Sequence, residues 1–259
     1  MKLLRDLKGV FKQPLKVRYE HFGGIIALER PSCLAFVDRD YMRGLGYADS
    51  PLWDVDSSWL TAPTEVHLAL TNACNRRCVG CYMDSGTRLD RELGPEGITR
   101  AVDRLADMGV FHLALGGGES FELDWLFDIA RHIRRRGMVP NITTNGALVT
   151  EATAAECALF GQINVSLDGV GDFFETTKGR AGFEEADRAL GLLKKVHRSV
   201  GINVTLGRRN FDHLEEIVQY AKRKRLREIE VLRFKPAGRG REIYREWGMP
   251  ANTRSSIPW

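Results

Sequence analysis

The sequence predicts an α/β fold built around a parallel sheet. From residue 64 onward, short strand-like runs alternate with amphipathic segments, and each strand–helix unit takes about 30 residues. The predicted strands lie at about 65–70, 111–115, 139–143, 162–167, 201–206 and 229–234. The predicted helices lie at about 95–109, 122–136, 150–160, 182–199 and 211–225, and a sixth begins near Arg241.

The first 63 residues do not follow this alternation. Residues 22–28 and 33–37 are apolar runs joined by a short polar turn, and this pattern predicts a β-hairpin. Residues 49–63 lack periodicity and are interpreted as a connector. We therefore predict an N-terminal extension over 1–63, an α/β domain over 64–240 and a short tail over 241–259.

Composition and charge narrow the classes of function. The net charge of +4 is too small to indicate a nucleic-acid partner. No stretch approaches the roughly 20 apolar residues that a membrane span needs. Three of the five cysteines are clustered, which is not the pattern of a secreted disulfide framework. We expect a cytoplasmic protein with no nucleic-acid partner and no membrane span.

The three clustered cysteines directly follow the first predicted strand of the α/β domain. Cys74, Cys78 and Cys81 are spaced as C-x3-C-x2-C. Thiolates are soft ligands that select zinc, copper(I) or iron–sulfur clusters. Structural zinc normally takes four ligands, usually in two pairs, and no second pair is obvious here. A 4Fe–4S cluster held by three thiolates would leave one iron open for chemistry.

This loop resembles the signature of the radical S-adenosylmethionine (SAM) superfamily. The resemblance implies that Cys74, Cys78 and Cys81 hold a 4Fe–4S cluster whose fourth iron binds the amino and carboxylate groups of SAM. It also implies an open, partial (βα)6 TIM-like barrel, since six units are present rather than the eight of a full barrel. The family often has an aromatic residue before the third cysteine, where this chain has Gly80.

Further turn motifs follow the later strands, and the ends of parallel strands face one cavity. Gly116-Gly117-Gly118-Glu119-Ser120 resembles the family's GGE motif, which implies that Gly117, Gly118 and Glu119 bind the amino group of SAM. The next two turns are 143–146, which contains Asn145, and 166–169. In the family, polar side chains at the fourth strand contact the ribose and the methionine carboxylate, and these would be Ser166 and Asp168.

The remaining candidates lie later in the chain. The stretch 178–183 resembles a family segment that begins Arg-Gly, so the carboxylate of SAM would be bound by Lys178 or Arg180. The resemblance also implies that Asn203 or Thr205 lies near the ribose, and that Phe234 lies near adenine. No catalytic side chain is assigned.

The segment 236–240 is similar to a subgroup that modifies peptides and carries an extra C-terminal iron–sulfur domain. No cysteine follows residue 240, so either one cluster suffices or the chain is shortened. The N-terminal hairpin is similar to the start of small domains that bind precursor peptides, or it is a cap on the barrel.

The leading hypothesis is a radical SAM enzyme that forms a 5′-deoxyadenosyl radical and abstracts hydrogen from a ribosomally made precursor peptide. An electron donor such as flavodoxin or ferredoxin would then be required. One alternative is cofactor or small-molecule biosynthesis, and another is a non-catalytic iron–sulfur or zinc-binding module.

Overall fold

Two β-sheets and eight short to medium helices make up the described part of the chain. The computed structural model describes residues 14–29, 32–178 and 182–249. The strands are β1 Lys16–Glu20, β2 Gly23–Glu29, β3 Ser32–Asp38, β4 Glu65–Thr71, β5 His112–Gly117, β6 Val139–Thr144, β7 Ile163–Ser166, β8 Val200–Leu206 and β9 Glu228–Arg233. The helices are α1 Arg39–Gly44, α2 Pro95–Asp107, α3 Leu126–Arg135, α4 Glu151–Glu156, α5 Asp172–Lys178, α6 Gly182–Val196, α7 Leu214–Lys224 and α8 Tyr244–Trp247.

The larger sheet confirms the predicted α/β architecture. Its six strands run in the order β4-β5-β6-β7-β8-β9, which is their order in the sequence. The pairs from β6 to β9 are parallel, as the intervening helices require. The arrangement is a partial, TIM-like barrel rather than a closed one. Because the strands are parallel, the carboxyl ends of all six face the same edge of the sheet.

The helices show why the periodicity identified them. Helix α3 buries Leu126, Ile129, Ala130 and Ile133, which are spaced by three or four residues and form one face. Thr150 accepts a hydrogen bond from the backbone N–H of Thr153 and caps α4. Helix α7 ends where Arg225 adopts the left-handed conformation at φ 51°.

Three details of the prediction are corrected. The predicted hairpin is a three-stranded antiparallel sheet in the order β1-β2-β3, and the sequence pattern missed β1. The sequence pattern also missed helices α1 and α5. The helices expected over 150–160 and 211–225 are shorter, because the first ends at Glu156 before a 3₁₀ turn and the second begins at Leu214 after one. The tail from residue 250 lies outside the described residues.

The chain divides into two compact units. Among the described residues, one unit contains those up to Val66 with Thr99–Leu113 and Arg131–Val139. The other contains His67–Ile98, Ala114–Ala130 and those from Pro140 onward. The carboxyl ends of all six strands of the larger sheet belong to the second unit. The boundaries at residues 63 and 240 stay a prediction.

The first unit has a core on both faces of β2. Ile26 and Leu28 pack with Met42 and Trp53 on one face. Ile25 and Ala27 pack with Phe111 on the other. The alternation of β2 side chains between faces accounts for both clusters.

A buried arginine ties β1 to the rest of the first unit. Arg18 Nε donates to Glu20 Oε1 at 2.7 Å, and Nη2 donates to the carbonyl oxygen of Ala62 at 2.7 Å. Nη1 donates to the carbonyl oxygens of Pro63 and Gly109 at 2.9 and 3.0 Å. The guanidinium is therefore buried with its charge paired and four of its N–H groups bonded, as a buried ion pair requires.

Candidate active site

The cysteine loop is closed by main-chain hydrogen bonds within the second unit. The N–H of Cys74 donates to the carbonyl oxygen of Gly86 at 3.0 Å, and the N–H of Gly86 donates to that of Asn72 at 2.9 Å. Cys74, Cys78 and Cys81 are all half-buried and carry free thiols. The loop therefore presents three thiols from a backbone that closes on itself after β4.

The environment of the thiols differs along the loop. Burial raises the pKa of the Cys74 thiol above its usual range. Burial also raises the pKa of Cys81, but other effects outweigh it and the pKa is lowered overall. These effects are hydrogen bonds from the backbone of Ser85 and Met83, a hydrogen bond from the Ser85 side chain, and the positive charge of Arg239. The N–H of Ser85 donates to Cys81 Sγ at 3.4 Å. Amide donors at a sulfur atom favour its thiolate form, which is the form that binds metal.

Glu92, which the sequence did not identify, anchors the start of the cysteine loop. Its Oε1 accepts hydrogen bonds from the N–H groups of Asn72 at 2.6 Å and Leu89 at 2.9 Å, and its Oε2 accepts one from Thr71 Oγ1 at 2.8 Å. The carboxylate thereby connects the end of β4 to the segment that follows the cysteines. No motif marks this residue, because it is a single glutamate in a polar loop.

Replacing Glu92 with glutamine is expected to destabilise the chain at pH 7 by about 2 kcal/mol, because hydrogen bonds to a charged group are lost. Burial raises the pKa of Glu92, but the bonds from Leu89, Asn72 and Thr71 and the charge of Arg88 hold it below its ordinary value of 4.5. This stabilisation is present above pH 4.5 and is lost as the pH falls through the lower, folded-state pKa. Urea unfolding at pH 7 and in acid should show the difference from wild type shrinking on acidification. The exposed Asp90→Asn change is the control, and equal effects of both variants would contradict this role.

The glycine motif lies directly against the beginning of the cysteine loop. The N–H of Gly118 donates to the carbonyl oxygen of Thr71 at 2.7 Å, and the N–H of Glu119 donates to that of Ala73 at 2.8 Å. A Cβ on Gly118 would lie 1.9 Å from the Ala73 oxygen. Gly117 has φ +122°, and its Cβ would lie 2.4 Å from the Thr71 oxygen. Both glycines are therefore required for the close approach of two backbones.

Glu119 is buried and connects the glycine motif to the end of β6. Its side chain is 1% exposed. Oε1 accepts from Thr144 Oγ1 at 2.8 Å and from the N–H of Phe121 at 3.2 Å, while Oε2 accepts from the N–H of Asn145 at 2.7 Å. Burial raises the pKa of Glu119 above its usual range, because its effect is larger than that of the three hydrogen bonds, which lower the pKa. A carboxylate has about four acceptor positions, so one remains for a further donor.

Asn145 reaches the cysteine loop from the end of β6. Its Nδ2 donates to Asn75 Oδ1 at 2.8 Å and lies 3.9 Å from Cys74 Sγ. The structure thus brings together Cys74, Glu119 and Asn145, which the sequence had placed at three successive strand ends. Thr144, which contributes the hydroxyl to Glu119, was not among the predicted site residues.

The predicted residues of β7 and β8 form a separate polar group. Asp168 is buried, and its Oδ1 accepts from the N–H of Thr205 at 2.6 Å. Ser166 is half-buried and pairs in register with Asn203. Asn203 donates to Thr143 Oγ1 at 3.1 Å and accepts from Asn164 Nδ2 at 2.7 Å. The side chains of Asp168 and Asn203 are already held by protein partners. The contacts of Ser166, Asp168, Asn203 and Thr205 with SAM stay a prediction.

Two predicted residues lie at or beyond the edge of the described chain. Lys178 is the last residue of α5. Arg180 falls in the gap between 178 and 182 and is outside the described residues. The choice between them as the carboxylate ligand stays open.

Phe234 packs against the cysteine loop at the position before the third cysteine. It is 3% exposed, and its ring centroid lies 5.6 Å from that of Trp247 and 6.3 Å from that of Tyr244. A Cβ on Gly80 would lie 2.6 Å from Phe234 Cε2. The absence of a side chain at Gly80 therefore makes room for an aromatic ring supplied by the end of the sheet. The predicted contact of Phe234 with adenine stays a prediction.

The donor set fits an iron–sulfur cluster better than a single metal ion. Among the described residues, no three His, Cys, Asp or Glu side chains are placed to share one ion. A tetrahedral zinc site needs its ligands to converge on one point, whereas the thiolates of a cluster bind different irons. The three thiols are free and half-buried, and Cys81 Sγ accepts a hydrogen bond from a backbone amide. These features match the ligands of a cluster.

The site has three clustered thiols at the end of the first strand of a partial α/β barrel, and this arrangement is typical of an iron–sulfur enzyme. The family model described as Radical SAM superfamily matches residues 68–221. This match covers more than half of the chain, so the chain belongs to the radical SAM superfamily. Members of this superfamily use a 4Fe–4S cluster and SAM.

Individual relatives agree with this assignment. The mycofactocin maturase MftC of Mycolicibacterium smegmatis is 31% identical over 189 residues, which cover 71% of this chain and 48% of MftC. The Fe-coproporphyrin III synthase of Methanosarcina barkeri is 28% identical over 68% of this chain and 45% of its own. This chain therefore spans about half the length of the curated relatives it matches.

The fold is also that of solved structures. Streptococcus suis SuiB bound to the precursor peptide SuiA has a TM-score of 0.66 and 16% identity, covering 85% of this chain and 62% of SuiB. At this identity the likeness shows the fold alone. In the part of the chain that the structure describes, none of the helices has the length and apolar character to cross a membrane.

Proposed function

We propose that Cys74, Cys78 and Cys81 ligate a 4Fe–4S cluster and that this chain cleaves SAM reductively. The observation that carries the proposal is the cysteine loop itself, which closes on its own backbone and is held against Gly118, Glu119 and Asn145 at the adjacent strand ends. When bound and reduced, the cluster with SAM supplies a 5′-deoxyadenosyl radical for hydrogen abstraction.

The residues of the chain shape and enclose the site. Gly117 and Gly118 allow the backbone of β5 to approach the loop, and Glu119 keeps one acceptor position free for the amino group of SAM. Asn145 fixes the loop next to Cys74. The polar group at β7 and β8, with Lys178 or Arg180, is proposed to bind the ribose and the carboxylate.

The proposed substrate is a ribosomally made precursor peptide. Support comes from the relatives, since MftC is named a maturase and SuiB was solved bound to a precursor peptide. The three-stranded N-terminal sheet has β1 and β3 as edge strands, to which an extended peptide can add. A small open reading frame beside the gene, encoding a peptide whose mass changes on incubation with the enzyme, would support this substrate.

A second candidate is cofactor or small-molecule biosynthesis. It is favoured by the similarity to Fe-coproporphyrin III synthase, which matches nearly the same share of this chain as MftC does. In either case we propose an electron donor such as flavodoxin or ferredoxin. We also propose a cytoplasmic location, because reducing conditions keep clustered thiols available for metal.

The test is anaerobic reconstitution with iron and sulfide, followed by reduction with dithionite and addition of SAM. We expect about four irons per chain, as one cluster requires, and formation of 5′-deoxyadenosine that depends on both dithionite and SAM. Co-purification of zinc with no cluster formed would overturn the proposal and leave a non-catalytic zinc-binding module.

A further inference from the structure

Arg239, which follows β9, bonds to the cysteine loop on both sides of Cys81. Its Nε donates to the carbonyl oxygen of Cys78 at 2.9 Å. Its Nη1 donates to Asp84 Oδ1 at 2.5 Å and to the carbonyl oxygen of Ser85 at 3.0 Å. One guanidinium from the far end of the chain therefore spans the loop segment that contains the third cysteine.

The backbone around Arg239 is shaped for this contact. Gly238 has φ +52°, and a Cβ there would lie 2.5 Å from the carbonyl oxygen of Cys81. A Cβ on Gly240 would lie 3.2 Å from the oxygen of Gly80. The two glycines thus let the backbone on either side of Arg239 lie directly against the backbone of the cysteine loop.

One donor group of Arg239 has no partner within the described chain. Nη2 is buried, yet among the residues that the structure describes it makes no hydrogen bond. The side chain as a whole is only 18% exposed. Buried polar groups in folded proteins nearly always have a partner, so an orphan donor beside a ligand-binding loop indicates a ligand.

We propose that Arg239 is a positioning residue for the cluster, fixing the cysteine loop with three hydrogen bonds and supplying its orphan donor and its charge to the cluster. The inference rests on the proposed function, because it presupposes that the three cysteines ligate a cluster. A cation beside a cluster favours the reduced state, which carries one more negative charge, and hydrogen bonds to the sulfurs act in the same direction. Arginine is required because lysine lacks the planar fork that serves several acceptors at once.

The test compares Arg239→Gln, Arg239→Lys and the control Arg241→Gln, which removes an exposed positive charge two residues away. Each full-length chain is reconstituted, its iron is counted, and its midpoint potential is measured by titration monitored by electron paramagnetic resonance. Thermal unfolding of the iron-free chains provides the check on folding.

Arg239→Gln is expected to shift the midpoint potential to more negative values by about 59 mV, which is a tenfold change in the ratio of reduced to oxidised cluster for one electron. Arg241→Gln should keep the wild-type potential. Arg239→Lys should restore most of the potential, because the charge is kept, but should lose iron faster than wild type, because one ammonium cannot serve Cys78, Asp84 and Ser85 together.

Other outcomes also decide the question. Failure of both Arg239 variants to hold iron, with iron-free chains as stable as Arg241→Gln, supports the positioning role. A wild-type potential in Arg239→Gln overturns the inference while leaving the proposed function intact, and so does unfolding of both iron-free Arg239 variants. If the wild-type chain holds no cluster, both proposals fall.

Discussion

Replacing Gly118 with alanine is expected to abolish iron binding and to lower the free energy of unfolding by about 3 kcal/mol. The added Cβ would lie 1.9 Å from the carbonyl oxygen of Ala73, and this contact involves backbone on both sides. No side chain can move to relieve it, so the end of β5 and the start of the cysteine loop must separate. Overpacking of this kind typically costs 1–3 kcal/mol, occasionally more, and here it acts one residue before Cys74.

The chain provides a matched control for this experiment. A Cβ on Gly116 would meet nothing within 4 Å. Gly116→Ala should therefore bind as much iron as wild type and unfold at the same urea concentration. It is a matched control because it makes the same glycine-to-alanine change in the same motif as Gly118→Ala. Iron content after reconstitution and urea unfolding of the iron-free chains are the two measurements. Equal iron content in Gly118→Ala and Gly116→Ala would show that the close approach does not position the loop.

Replacing Cys78 with alanine is expected to reduce 5′-deoxyadenosine formation to the level seen without enzyme. In the described chain, Cys78 uses its carbonyl oxygen to hold the loop, and this oxygen accepts hydrogen bonds from Cys81 N–H and from Arg239 Nε. Alanine keeps that oxygen, so the iron-free chain should retain its stability to within about 0.5 kcal/mol. Loss of activity would then come from the missing thiolate and not from a misfolded loop.

Cys33→Ala is the control for Cys78→Ala. Cys33 is exposed on β3 and lies in the first unit, outside the cysteine loop. The Cys33→Ala change should leave iron content and product formation unchanged. A Cys78→Ala enzyme that keeps both its full iron content and its activity would contradict the assignment of the cluster ligands.

The sequence predicted the larger sheet well because its signals are local. Every strand from β4 to β9 is a short apolar or alternating run, and each is followed by a turn and a helical period. β1 was missed for a physical reason. Its two most buried residues are Arg18 and Glu20, which form an ion pair, so the strand shows charges where the pattern requires apolar side chains.

The candidate site was predictable only where residues form motifs. The cysteine spacing and the glycine turn are visible in the sequence. In the structure Asn145 contacts both Glu119 and the cysteine loop, while the predicted roles of these residues in binding SAM stay a prediction. Glu92 and Arg239 hold the same loop through contacts across 20 and 161 positions, respectively. Such contacts depend on the folded path of the chain. Glu92 carries no local signal, and the motif over 236–240, which contains Arg239, does not indicate that this arginine contacts the cysteine loop.

The bond from Arg239 to Cys78 also bears on how the protein is made. These residues are separated by 161 positions, so a ribosome adding 5–20 residues per second needs about 8 to 32 s to synthesise one after the other. During that interval the three cysteines have been synthesised, but the segment that completes their loop has not. Cluster insertion should therefore follow release of the last strand, and assembly factors would meet a finished barrel rather than a nascent loop.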